Sequence, residues 1–413
     1  MFSWLTLGIL LIVIEAIFEI YLHLRQIRFT RNLTTPSKTY NSEITKESFE
    51  KSKSYQIAVS RFEIVKCAVL VLPNIISALF IFQIWKISNI RFEFLHSIFF
   101  VFIHNAIEYV FRLPINYYKT FVIEKEFGFN KSTRKLFITD FIKSFLVETL
   151  INGIMYSVMG VIFNIAGNKF IYIAYVFILF FILFMQIIYP ILLLPLFIKL
   201  TPLEEGEVKD AITKLVNDCN LKVSGIYKTD DSKRTSKQNA FAYGLFKWHG
   251  IAIADTVLEK ASIKEICAII AHEIGHLKHH HLLKLGLVIN QIPIALILFS
   301  ISAIMKSDKI FADFGFDSKP FIIGIQIMMY LTLPITKMLQ LPINIIIRSF
   351  EFQADEFAVR KNLEIDNALI NLSQDNKMAI EQDPIYTAFN MNHPTLEQRV
   401  ERISQIRKSL KTD

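Results

Sequence analysis

The chain has 413 residues, 53% of them apolar and 13% aromatic, with a mean hydropathy of +0.40. That excludes an ordinary water-soluble globule, which has too little interior for so much apolar side chain, and indicates a multi-pass membrane protein. The net charge of +8 falls in clusters between apolar runs, so it bears on membrane orientation and gives no indication of a nucleic-acid partner. Cys67, Cys219 and Cys267 form no CxxC pair, which excludes a disulfide-stapled scaffold and fits a reducing compartment.

Seven segments are predicted to span a hydrocarbon layer of roughly 30 Å. They run from about Phe2 to His23, Ile64 to Trp85, Phe94 to Tyr117, Phe145 to Ile165, Phe170 to Ile198, Leu285 to Met305 and Phe321 to Ile347. The first lacks a basic leader and a small-residue cleavage site and carries Glu15 and Glu19, so it reads as a retained helix. Basic residues gather after span one (Arg25, Arg28, Arg31, Lys38, Lys46, Lys51, Lys53, Arg61) and after span three (Lys119, Lys125, Lys131, Arg134, Lys135, Lys143). The opposite side is sparse, with Lys86, Arg91 and Lys169. The positive-inside rule therefore places the odd-numbered loops, the segment from about Thr201 to Lys284 and the tail from about Arg348 in the cytoplasm.

Polar stripes interrupt the spans. Glu15, Glu19 and His23 share a face of span one, Asn105, Glu108, Arg112 and Asn116 a face of span three, and Glu148 and Asn152 open span four. Ionisable groups are costly against lipid, so these stripes should face the bundle interior, either as packing ion pairs such as Glu108 with Arg112 or as the walls of a hydrated space.

The chemistry lies beyond span five. "SIKEICAIIAHEIGHLKHHHLLK" follows an N-capping Ser with apolar residues at helical spacing and is predicted to be a helix. On it His272 and His276 share a face and can reach one Zn²⁺ at about 2.0–2.1 Å. Glu273, about 100° round, is placed as a general base. HExxH alone is not decisive, because a third ligand is needed. "RSFEFQADEFAVR", after span seven, presents Glu351 and Asp355 on one helical face. By itself that pair would read as a solvated surface. Beside HExxH, Glu351 completes a His₂Glu set with an open position, and Asp355 can fix the tautomer of a ligating His. "NAFAYG" and "GIAIAD" read as a hairpin whose exposed edge, at Asn239, Ala240 and Phe241, would bind an extended peptide by strand addition; the bland alternative is an ordinary edge strand.

"HEIGH" at 272–276 with "EFQAD" at 351–355 resembles the type 1 CAAX prenyl protease family of membrane zinc metalloproteases. "FVIEKEFGFNKST" at 121–133, "KQNAFAYG" at 237–244 and "NHPTLEQR" at 392–399 extend the resemblance over nearly the whole chain. It implies one zinc held by His272, His276 and Glu351, Glu273 as base, Asp355 in support, Asn239 on the strand that holds substrate, and His393 and Arg399 near the site. Either of the last two could stabilise an oxyanion. The resemblance also implies a mainly α fold: a seven-transmembrane helical bundle enclosing a hydrated chamber, capped by a cytoplasmic zinc metalloprotease domain with a small β-hairpin or sheet. Residues 1–200 would carry spans one to five, 201–284 the HEIGH segment, 285–347 spans six and seven, and 348–413 the completion of the protease domain. "KHHH" at 278–281 is richer in histidine than the family's usual run, and its His279 and His280 are candidates for adventitious metal binding.

The expected reaction is removal of the aaX tripeptide from prenylated CaaX proteins, at the endoplasmic reticulum in a eukaryote. The alternative is general endopeptidase work on membrane-anchored substrates, at the inner membrane in a bacterium. In both the partners are a lipid-bearing or membrane-anchored polypeptide and the bilayer. A transporter or channel would account for the spans and polar stripes but leaves His272, Glu273, His276 and Glu351 without a role. A zinc scaffold is disfavoured because three protein ligands leave the metal unsaturated.

Overall fold

Inside a bilayer the backbone must satisfy its own hydrogen bonds, and long apolar runs do so as helices. The computed structural model describes residues 3–35, 44–245, 249–379 and 381–411, so Phe2 and Lys38 lie outside the described residues. Among these, six helical units are long and apolar enough to cross a membrane: Trp4–Asn32, Lys46–Leu79, Glu93–Glu126, Arg134–Phe197, His281–Met305 and Phe321–Arg360. Only 6% of the most apolar window of Arg134–Phe197 is buried, so its exposed surface suits lipid, not water.

Two of the seven expected spans, Phe145 to Ile165 and Phe170 to Ile198, fall within the single unit Arg134–Phe197. Its helix Arg134–Ala166 ends at Gly167, whose φ of +52° favours glycine, and a 3₁₀ turn, Gly167–Lys169, leads into Phe170–Ile188. The rings of Phe163 and Phe170 meet edge-on at 5.1 Å, whereas residues seven apart on a straight helix are about 10 Å apart. The chain therefore turns back at Gly167.

The polar stripes meet one another between helices. Glu108 pairs with Arg112 at 2.5 Å, Arg112 reaches Glu148 at 3.5 Å, and the Tyr109 hydroxyl donates to Glu148 at 2.6 Å. Asn105 donates to Thr149 at 3.1 Å, and Glu19 pairs with Lys337. The ion pair anticipated between Glu108 and Arg112 is thus part of a larger network.

A second apolar core lies beyond the bundle. Ile212 and Val216, Ile251 and Ile253, Ile266 and Ile270, Ala358 and Val359, Leu369 and Ile403 all converge there. They come from helices Glu207–Asp218, Ile263–Lys278, Ile365–Asp375 and Leu396–Ser409, the end of Phe321–Arg360, and a four-stranded sheet. The strands are β1 (Leu200–Pro202), β2 (Gly225–Thr229), β3 (Ala240–Tyr243) and β4 (Gly250–Ala254), in the order β1-β2-β4-β3. β2 and β4 are parallel and the other two pairs antiparallel. Every residue of "GIAIA" in β4 is buried, as an apolar run in an inner strand requires. β3 is an edge strand, antiparallel to β4, so the expected hairpin pairing is present within a larger sheet than anticipated.

Candidate metal centre

Helix Ile263–Lys278 begins with a capping box in which Ser262 and Glu265 satisfy each other's backbone N–H groups. It crosses the far end of Phe321–Arg360, a 40-residue helix about 60 Å long at 1.5 Å per residue, which carries "EFQAD" well past a hydrocarbon layer of roughly 30 Å. Gly275 makes the crossing close: a Cβ there would lie 2.9 Å from the Ala354 Cα and 3.1 Å from the Phe357 Cβ.

That approach brings three donors together. His272 Nε2 and His276 Nε2 are 3.2 Å apart, Glu351 Oε2 is 3.5 Å from His272 Nε2, and Glu351 Oε1 is 3.3 Å from His276 Nε2. Ligands of a tetrahedral ion at 2.0–2.1 Å lie about 3.3 Å from one another, so this triangle fits a metal. Among the described residues no other group of three or more His, Cys, Asp or Glu converges in this way, and His279 and His280 do not join it. Burial disfavours charge on the His272 ring, yet hydrogen bonds to Asp355 and Glu351 outweigh it and raise the group to about 9. The surroundings thus favour positive charge among the donor atoms.

Each donor is itself held. His272 Nδ1 meets Asp355 Oδ1 at 2.9 Å, and Arg399 grips the same carboxylate through Nε at 2.8 Å and Nη2 at 2.6 Å. Asp355 is completely buried, so the bidentate arginine compensates a charge that water cannot reach. His276 Nδ1 meets His281 Nδ1 at 3.0 Å, and His281 Nε2 lies 3.3 Å from Gln353 Oε1. His393, half exposed in the loop before helix Leu396–Ser409, places Nδ1 2.8 Å from Glu351 Oε2.

Glu273 points to the sheet, where its Oε2 accepts from the Ala242 N–H at 3.1 Å. The Ala254 N–H donates to the Asn239 carbonyl, and bonding alternates along an antiparallel pair, so the N–H and C=O groups of Ala240 and Ala242 are left on the free edge of β3. Asn239 and Ala240 line a cleft of about 420 Å³ together with His272, Glu273, Glu351, His393 and Arg399. Phe241 stands outside that lining, beside Tyr243 on the other face of β3. The rest of the cleft wall is largely apolar, with Ile269, Ile365, Leu369, Met391 and Leu396.

Of the residues anticipated around the site, His272, Glu273, His276, Glu351, Asp355, His393, Arg399, Asn239 and Ala240 gather in this neighbourhood, whereas Phe241 lies on the other face of β3. Ala242, Gly275, His281 and Gln353 were missed. "HEIGH" held the signal for Gly275 and "KHHH" for His281, but His281 follows His276 by five residues and would leave its face if the helix continued. Instead the helix stops at Lys278, and His280 takes a left-handed conformation (φ +54°) that folds His281 back.

Residues 26–199 match the model for the CAAX prenyl protease N-terminal region, five membrane helices, and residues 202–407 match that for peptidase family M48. The chain is 34% identical to CAAX prenyl protease 1 homolog of Arabidopsis thaliana, over 95% of each chain. It is 30% identical to CAAX prenyl protease 1 of Saccharomyces cerevisiae, over 94% of this chain and 92% of that one. The crystal structure of S. mikatae Ste24p superposes with a TM-score of 0.90 at 30% identity, covering 98% of this chain and 99% of the other. With both halves of the chain matched and the relatives aligned end to end, the chain belongs to the CAAX prenyl protease 1 family and is a membrane metallopeptidase of family M48.

Proposed function

We propose that the protein is a zinc endopeptidase that removes the C-terminal aaX tripeptide from prenylated CaaX proteins, with its site facing the cytoplasm. The observation that carries this reading is the donor triangle of His272, His276 and Glu351 set beside a free strand edge, with Glu351 on a helix continuous with the membrane bundle. Two imidazoles and a carboxylate at tetrahedral spacing suit zinc and leave one position open. The names of the relatives support the substrate class, and the distribution of Lys and Arg supports the orientation.

Zinc bound there would supply the positive charge that acidifies a neighbouring water and polarises a peptide carbonyl. The remaining work falls to the chain. Ala240, through its outward N–H and C=O, and Ala242, through its C=O, pair with an extended substrate segment, which fixes the scissile bond over His272 and His276. Glu273 takes the proton of the attacking water and delivers it to the leaving amine, and the Ala242 N–H holds its carboxylate at the strand edge. Asp355 keeps the Nδ1 proton of His272 in place, and Arg399 keeps Asp355 ionised and oriented. His393, the more exposed of the two candidates, reaches a developing oxyanion. The apolar cleft wall receives aliphatic side chains, and the polar faces of the bundle, such as the Glu108, Arg112 and Glu148 network, border a hydrated space beneath the site.

The test is a pair of peptides, one ending in farnesyl-Cys-aliphatic-aliphatic-X and the other unmodified. The reading expects a strong preference for the farnesylated peptide in kcat/KM. Equal values, with rapid cleavage of soluble unfolded protein, would replace it with general membrane-associated endopeptidase activity.

A further inference from the structure

The two histidines of the donor triangle need the same thing from their surroundings. Each ring must keep its proton on Nδ1, so that the Nε2 lone pair points at Glu351 and at the other ring. His272 has a buried carboxylate for this purpose, Asp355. His276 has no carboxylate at its Nδ1, only another imidazole 3.0 Å away.

We propose that His281 is the positioning residue for His276, with Gln353 setting the tautomer of His281 and Phe350 setting its ring plane. The inference rests on the metallopeptidase reading of the same site. Two facing Nδ1 atoms form a hydrogen bond only if one donates and the other accepts. The Gln353 Oε1 atom can only accept, so His281 Nε2 donates to it across 3.3 Å. A neutral His281 then has a bare Nδ1, which accepts from the Nδ1–H of His276. That leaves His276 Nε2 bare, at the corner of the triangle where a ligand atom is required. The His281 ring is buried and lies flat on Phe350, with centroids 4.2 Å apart and planes 5° from parallel, so it cannot swing out of this alignment.

The arrangement also explains "EFQAD" beyond its ligand. Glu351 supplies a donor, Asp355 orients His272, and Gln353 orients His276 through His281, all from little more than one helical turn. A neutral imidazole serves at His276 where a carboxylate would add to the charge of Glu351, Glu273 and Asp355. Among these acids the partly buried guanidinium of Arg399 is already committed to Asp355. The left-handed turn at His280 is what makes the sequence-adjacent His281 available.

The test uses full-length protein in detergent, stripped of metal, and reads metal binding without substrate, so its failure is distinguishable from failure of the peptidase reading. Zinc affinity is measured by competition with a chromophoric chelator, and ligand geometry by the visible d–d band of added Co²⁺. His281→Phe keeps an aromatic ring on Phe350 but removes the acceptor; it is expected to lower zinc affinity about 10–100-fold and to alter the cobalt band. His281→Asn returns an acceptor, its Oδ1, to the place of Nδ1 and is expected to recover affinity to within about fivefold and to restore the band. Gln353→Leu should weaken binding by less than His281→Phe, and it carries the test if His281→Phe does not fold. Wild-type affinity and cobalt spectrum in folded His281→Phe, or equal loss in the Phe and Asn variants, would overturn the proposal. So would unchanged binding in Gln353→Leu when His281→Phe does not fold.

Discussion

Gly275→Ala adds one methyl group at the point where the HEIGH and EFQAD helices cross. The new Cβ would lie 2.9 Å from the Ala354 Cα, 3.1 Å from the Phe357 Cβ and 3.2 Å from the Ala354 carbonyl oxygen. Non-bonded carbons settle at about 3.5–4.0 Å, so the helices must part by about 0.6–1 Å. Two of the three opposing atoms are backbone, and no rotamer change can absorb the shift. Ala354 sits between Glu351 and Asp355, so the movement carries the third donor and the partner of His272 away from the two histidines together. Metal–ligand distances tolerate only about 0.2 Å, so zinc affinity should fall by at least about tenfold. A misplacement of about 1 Å should also lower kcat/KM by about 100-fold. Thermal stability is the weaker readout, because overpacking costs about 1–3 kcal/mol while Ala in place of helical Gly returns about 1 kcal/mol. The assay is therefore chelator competition on the purified variant, with turnover of a farnesylated peptide measured in parallel. Wild-type zinc affinity and wild-type kcat/KM in Gly275→Ala would refute the claim that this glycine sets the helix spacing of the site.

His272→Ala, His276→Ala and Glu351→Ala should each lose zinc on dialysis, read by elemental analysis, and stoichiometric metal in Glu351→Ala would remove that carboxylate from the ligand set. Glu273→Gln should keep its metal and lose about 10²–10⁴-fold in kcat, the contribution of a general base, so loss of zinc in this variant would count against the assignment. Arg399→Met leaves the buried Asp355 carboxylate uncompensated, and breaking a buried pair in this way costs about 3–5 kcal/mol, visible as a lowered Tm; an unchanged Tm would show that the pair is not needed. Cysteines introduced at Lys51, Lys233 and Lys408 in a variant without Cys67, Cys219 and Cys267 should all react with an impermeant thiol reagent from the cytoplasmic side, and protection of one of them would mean the topology is miscounted.

The sequence alone was enough for features governed by local periodicity and transfer energy. Apolar runs of membrane length declare themselves because a backbone in hydrocarbon has few alternatives to helix, and His272 and His276 share a face because the helical repeat requires it. Ser262 announced the start of that helix, and Glu351 with Asp355 stood out as two acids at one face just past an apolar run. What tertiary structure decided was everything that depends on an approach between elements distant in the chain. Nothing local says that Gly275 faces Ala354, that Ala242 reaches across to Glu273, or that Arg399 closes on Asp355. The KHHH run shows the boundary most clearly. Read as a sequence, it offers His279 and His280 as loose metal donors, yet His280 is the left-handed turn residue and His281 the buried partner of His276. A single backbone inversion, stabilised by packing on Phe350, sets those roles, and no helical pattern encodes it.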